Sequence, residues 1–333
     1  MFSGRRVTFF LVLSVALGSA PKMHSQISGQ VHIAPVPLSR ETKTVGHSSE
    51  LDLDTKPLRV DVDTVLVPVT VVDVANRPVI SLEKQNFELY DGGEQQTLRY
   101  FSTEDSPISV GVLLDLSSSM TDKIETARVA LREFFANSNP DDDYFVIGIS
   151  DRPTLVADST RSTGTIENQL SLTEPYGHTA LLDSIYAGLN KLRRGRYPRR
   201  ALVIISDGGD NHSRYTAKEI RALVEEADVE IYALGIFSKV FKTYEEAKGE
   251  SLLSMITQAT GGQTIKVNDI DELPQAAAAL STLMRNQYVL GYQPGGKQND
   301  ANQWHKITVR VLPPKQGTVL HVYNKQGYLA PRH

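Results

Sequence analysis

The sequence predicts an α/β fold: a doubly wound, mostly parallel sheet inserted into a β-sandwich that is formed by N- and C-terminal strands. Three observations carry this. Between residues 106 and 286, apolar runs of strand length alternate with stripes of helical spacing, the signature of a parallel sheet covered on both faces. On either side of that stretch strands follow one another with no helix between them, and neither flank, at about 45 residues, can bury a core by itself. Lastly, short acidic and hydroxyl residues stand just after two of the apolar runs, where open sheets gather their ligands.

The chain has 333 residues, 40% of them hydrophobic, and carries a net charge of -4 with no cysteine. That composition supports a large core and excludes both disulfides and a lipid-bearing cysteine. It also provides no basic field for nucleic acid. The first 20 residues read as a signal peptide: Arg5-Arg6, an apolar run over 7–17 interrupted only by Thr8 and Ser14, then Gly18-Ser19-Ala20. The run is too short to span a bilayer, so the mature chain is expected to be exported, periplasmic or secreted, with no transmembrane span. Thr8 and Phe9 fit a twin-arginine leader poorly, which favours the general secretory route. Residues 21–58 are rich in Ser, Thr, Gln, Pro and charge and poor in aromatics, as expected of a flexible linker.

Residues 59–105 form the first part of the sandwich. Val65, Val67, Val69 and Val71 alternate as in a half-buried strand, and Pro68 among them implies an edge or a bulge because it has no N–H to donate. A strand at 87–90 runs through the turn Asp91-Gly92-Gly93 to another at 97–101. Residues 287–333 form the second part, with strands expected at 288–292, 305–312 and 319–323. Within 106–286, strands are expected at 110–114, 144–149, 201–205, 229–235 and 263–267. Ile124, Ala127, Leu131, Phe134 and Phe135 form one helical stripe, Leu181, Ile185, Leu189 and Leu192 a second, and Leu273, Ala277, Leu280 and Met284 the last. Such a layout is Rossmann-like.

The chemistry sits at the strand ends. After the run 110–114 comes Asp115-Leu116-Ser117-Ser118-Ser119, and in extended backbone Asp115, Ser117 and Ser119 share a face. A polar turn with a helix cap would use the same residue types. Two further segments favour a metal site: Gly177-His178-Thr179 stands before a helix, and Ser206-Asp207-Gly208 follows the run 201–205. Carboxylates and hydroxyls are hard oxygen donors, suited to Mg²⁺ or Ca²⁺ rather than zinc or copper. Five such donors leave at least one of six positions open, and with only two of them charged the cation keeps a positive field.

Asp115, Ser117, Ser119, Thr179 and Asp207, in that order and spacing, resemble the metal-ion-dependent adhesion site of von Willebrand factor type A (VWA) domains. The likeness extends over 59–331 to secreted bacterial proteins related to that domain, many of them acidobacterial. It is carried there by Asn86-Phe87-Glu88-Leu89-Tyr90-Asp91-Gly92, by Gln287-Tyr288-Val289-Leu290-Gly291-Tyr292 and by Gly327-Tyr328-Leu329-Ala330-Pro331. The resemblance implies an adhesion-type module, not an enzyme, whose Mg²⁺ (or Mn²⁺ or Ca²⁺) is completed by an Asp or Glu of a partner protein. It also implies coupling between the site and the final helix of the domain. His178, Ser118 and Gly209 depart from the family pattern, and none of the three is a ligand.

Two rival readings have a basis in residues. Asp61-Val62-Asp63-Thr64-Val65 matches the string of Mg²⁺-dependent phosphohydrolases that use an aspartate nucleophile, although no buried apolar strand precedes it. A structural envelope protein would use the metal only to rigidify its loops. The remaining charged segments read as structure: Asp122 as the cap of a capping box with Glu125, the cluster Lys191, Arg193, Arg194, Arg196, Arg199 and Arg200 as a solvated helix end, Asp141-Asp142-Asp143 as a surface turn, and Trp304 with the tail tyrosines as sandwich packing. The sequence carries no signal for oligomeric state.

Overall fold

The computed structural model describes residues 64–103, 105–237, 244–294, 303–313 and 317–329. The expected signal peptide and linker lie outside the described residues, as do Asp61 and Asp63. Four strands open the described chain: β1 (Val65–Val72), β2 (Phe87–Asp91), β3 (Glu94–Gln96) and β4 (Leu98–Ser102). The α/β stretch follows: β5 (Ser109–Asp115), α1 (Ile124–Ala136), β6 (Asp143–Ile149), β7 (Thr154–Thr160), α2 (Thr163–Leu170), α3 (Leu181–Leu192), β8 (Arg200–Ser206), α4 (Ala217–Glu226), β9 (Glu230–Ile236), α5 (Tyr244–Thr260), β10 (Thr264–Val267) and α6 (Leu273–Arg285). Four strands close it: β11 (Tyr288–Tyr292), β12 (Trp304–Val311), β13 (His321–Asn324) and β14 (Gly327–Leu329).

The six-stranded central sheet has the order β10-β9-β8-β5-β6-β7. All pairings are parallel except that of β7 with β6. From β5 the chain first builds β6 on one side and then crosses to β8 on the other, so strand order reverses at β5. Residues alternate to the two faces, as extended backbone requires. Val110, Val112 and Leu114 meet α1 and α6 in one core, while Leu113, Leu202 and Ile204 meet α3, α4 and α5 in the other. The stripes of α1, α3 and α6 are buried as their periodicity requires.

The first and last strands pair with each other. One sheet has the order β13-β1-β11-β4 and the other β14-β12-β2-β3. A single apolar cluster joins Val67, Val69, Val71, Tyr288 and Leu290 of the first sheet to Phe87, Leu89, Ile307 and Val309 of the second, with the Phe87 and Tyr288 rings 4.8 Å apart. This is the sandwich that neither flank could form alone. Pro68 is accommodated although β1 is an inner strand: it pairs with Val289 of β11, while pairing with β13 begins only at Val69, leaving Pro68 a local edge.

Two expectations change here. The turn at Gly92 and Gly93, where φ is 60° and 92°, returns the chain into the short polar β3. The strand expected at 97–101 is instead β4, which crosses to the other sheet and pairs with β11. Trp304 does not pack the interior; it is 41% exposed on β12, whereas Tyr288 and Tyr292 are buried.

The sandwich meets the N-terminal ends of the central strands through Gln287. Its Nε2, with two hydrogens to donate, lies within hydrogen-bond distance of Thr70 Oγ1 at 3.1 Å, Glu230 Oε1 at 2.9 Å and Tyr232 Oη at 2.8 Å. Its Oε1 accepts from Arg199 at 2.7 Å. Arg199 also donates to the carbonyls of Ser106 and Met284. It is therefore a structural tie rather than part of a solvated helix end. Burial pushes the Glu230 carboxyl up, opposed by the Arg199 charge.

Candidate metal centre

At the opposite, C-terminal end of the sheet, three loops converge where strand order reverses. The loop after β5 is held to the β7–α3 region by Ser118 N–H donating to Gly177 C=O at 3.1 Å and Tyr176 N–H donating to Leu116 C=O at 2.7 Å. The loop after β8 is held to the same region by Thr179 N–H donating to Asn211 Oδ1 at 2.9 Å, and by the Asn211 and His212 N–H groups donating to Thr179 C=O. Asp115, Ser117 and Thr179 are buried, Ser119 is exposed and Asp207 is intermediate.

Asp115 ends β5 and is fully buried. Its Oδ1 accepts Ser117 N–H at 2.9 Å and its Oδ2 accepts the Ser206 hydroxyl at 2.5 Å. Ser206 in turn accepts Gly208 N–H at 3.0 Å, which shapes the turn bearing Asp207. Burial pushes the Asp115 carboxyl up to about 6; hydrogen bonds from Ser117 and Ser206 oppose that rise, and the charge of Asp207 adds to it. The Ser117 and Ser119 hydroxyl oxygens lie 3.0 Å apart. That is a hydrogen bond between the two hydroxyls, and oxygens so placed could also take neighbouring positions, about 3.0 Å apart, on an octahedral shell with bonds of about 2.1 Å.

Glycines bring backbones together around the site. Gly208, at φ +79°, lies against Gly249 of α5, and a Cβ on Gly249 would stand 2.1 Å from the Gly208 carbonyl oxygen. Helix α5 therefore backs directly onto the turn that presents Asp207. Gly177, at φ +73°, leaves no room for a Cβ beside the Asp151 carboxylate, which also accepts His178 N–H at 2.7 Å. The His178 ring is exposed and stacks on His212 at 5.1 Å, forming the rim of the site.

Several supporting residues carry no sequence motif. Ser206, Asn211 and Asp151 hold the loops as described. Asp183, in the first turn of α3, is buried, which would raise its carboxyl; Tyr215 N–H and both the backbone and guanidinium of Arg214 outweigh that and hold it low. Asp122 does not cap α1. The cap position falls on Lys123, without a side-chain cap hydrogen bond, and the Lys123 ammonium lies 3.3 Å from Asp207 Oδ2. Asp142 is not a surface residue either: it is buried, accepting Ile108 N–H at 2.8 Å and the Tyr144 hydroxyl at 3.2 Å, and burial raises its carboxyl.

Residues 110–209 match the family model described as von Willebrand factor type A domain. That match spans both the Asp115 and the Asp207 segments. Among solved structures, the chain is similar to the conserved hypothetical protein BatB from Bacteroides thetaiotaomicron, with 17% identity and a TM-score of 0.42 over 53% of this chain and 98% of that one. It is also similar to the PilB minor pilin from Streptococcus sanguinis, with 12% identity and a TM-score of 0.45 over 56% and 63% of the two chains. Proximal thread matrix protein 1 from the mussel byssus, in a structure titled as having a zinc-occupied MIDAS motif, shows 15% identity and a TM-score of 0.47 over 60% and 50%. No curated protein matches the chain. Among the described residues no helix is long and apolar enough to cross a membrane.

Proposed function

We propose that this chain is a binding module, not an enzyme, in which Asp115, Ser117, Ser119, Thr179 and Asp207 hold a divalent cation whose remaining position takes an Asp or Glu carboxylate of a partner protein. The observation that carries this is the meeting of three loops at the C-terminal end of the sheet, with the Ser117 and Ser119 hydroxyls hydrogen-bonded to each other next to the buried carboxylate of Asp115. Mg²⁺ fits that donor set, and Mn²⁺ or Ca²⁺ would use the same oxygens. Two carboxylates balance the dication and the three hydroxyls add no charge, so an incoming carboxylate meets a site that is not already anionic.

The division into a sandwich of residues 59–105 and 287–333 around a VWA domain of 106–286 belongs to the same reading. So does export, which rests on the composition of residues 1–20. The test is binding of a short peptide with a single Glu, labelled and titrated in Mg²⁺ and in chelator, to the chain and to Asp207→Ala. Binding should appear only in Mg²⁺ and only with Asp207 present. Binding that survives the chelator, or the substitution, contradicts the proposal.

A further inference from the structure

Lys123 is in an unusual place. Helix N-caps favour Ser, Thr, Asp or Asn, whose oxygens accept the free N–H groups of the first turn, and a cation there faces the positive end of the helix dipole. Lys123 stands just before α1 with no side-chain cap hydrogen bond and with helical backbone of its own (φ -108°, ψ -16°), so the chain enters the helix from a preceding turn. Its backbone is fixed, the N–H donating to Met120 C=O at 2.9 Å and the C=O accepting Ala127 N–H at 3.0 Å. Its side chain, 29% exposed, directs the ammonium to Asp207 Oδ2 at 3.3 Å, and the Asp207 side chain is only 13% exposed. A cation next to the positive end of α1 is thus placed beside one of the two candidate metal carboxylates.

We propose that Lys123 is a tethered competitor of the divalent cation: its ammonium neutralises Asp207 in the metal-free protein and must give way when the ion takes that carboxylate. The inference rests on the reading of Asp115, Ser117, Ser119, Thr179 and Asp207 as a cation site. It gives the site two properties. Metal affinity is lower than the same five oxygens would provide alone. Once the ion is bound, two carboxylates cancel its two charges and Lys123 leaves one positive charge over, matching a single partner carboxylate.

The experiment is calorimetric titration of Mn²⁺ into the full chain, Lys123→Met and Lys123→Arg, with circular dichroism confirming that each is folded. The increase in Tm on adding saturating Mn²⁺ is a second readout of the same affinities. Lys123→Met should bind Mn²⁺ at least about tenfold more tightly, the gain expected when one like charge is removed a few ångströms from the ion even with full water screening, and Lys123→Arg should stay near the unmodified chain. Equal or weaker binding by Lys123→Met, or tighter binding by Lys123→Arg as well, overturns the competitor role while leaving the metal site intact. Absence of Mn²⁺ binding in all three chains overturns the cation-site reading itself, and the competitor with it.

Discussion

The two ends of the central sheet treat buried polar groups in opposite ways. At the N-terminal end, Gln287 both donates and accepts: Thr70, Glu230 and Tyr232 take its N–H donors and Arg199 donates to its oxygen. Donors and acceptors there answer one another, and the result is a joint between sheet and sandwich. At the C-terminal end lie the buried carboxylate of Asp115, the neighbouring hydroxyls of Ser117 and Ser119, and Asp207 with the Lys123 ammonium beside it. A closed network of this kind gives rigidity, whereas a surplus of oxygens gives a place for an external cation. The sheet keeps the two apart, so stability and binding should separate on mutation.

The largest expected effect is at the joint. Gln287→Leu removes a partner from the buried Tyr232 hydroxyl and from the half-buried Glu230 and Arg199, the last keeping the Ser106 and Met284 carbonyls, which should cost about 1–3 kcal/mol in denaturant unfolding. Mn²⁺ affinity of the folded fraction should not change. A parallel loss of affinity would show that the two ends are coupled.

Next is Gly249→Ala, on the helix behind Asp207. The new Cβ would meet the Gly208 carbonyl oxygen at 2.1 Å, and backbone cannot swing away as a side chain can. It should cost about 1–3 kcal/mol by overpacking. Metal affinity should fall by about tenfold or more, because the turn that supports a ligand is displaced. Normal affinity with lowered stability would detach α5 from the site.

The mildest test is pH. In chelator, the Asp115 carboxyl, with an ordinary value of 3.8, is pushed up to about 6 in the folded protein, so the unfolded chain releases its proton first. Stability contributed by the protonated group is therefore present below about 4 and is lost as pH rises to about 6. A cation needs the carboxylate, so Mn²⁺ affinity should fall about tenfold per pH unit below about 6. Affinity that is flat from pH 7 to pH 5 would remove Asp115 from the ligand set.

The same contrast explains what was legible in the sequence. The inner strands of the central sheet are buried on both faces and read as apolar runs, so β5, β6, β8 and β9 are legible. Strand β7 is not, because it is an edge with mostly exposed or half-exposed residues. Helix α4 went unread although Thr216 and Glu219 form a capping box at its start. For the sandwich, the alternation of valines showed strands but not partners: Val65 pairs with Tyr292 across the whole inserted stretch. At the site, residue type and spacing pointed to the candidate donors. Their supports could not be read, since the Ser206–Asp115 bond spans 91 positions and the Asn211–Thr179 bond 32. Asp122 fits the cap rule better than Lys123, and only the fold brings the start of α1 beside Asp207.

The most direct test of the account is calorimetric titration of Mg²⁺ and Mn²⁺ into the chain and into Asp115→Ala. The account predicts saturable binding at one site in the first and none in the second, with the variant still folded. No binding by the unmodified chain, or equal binding by both, would contradict it.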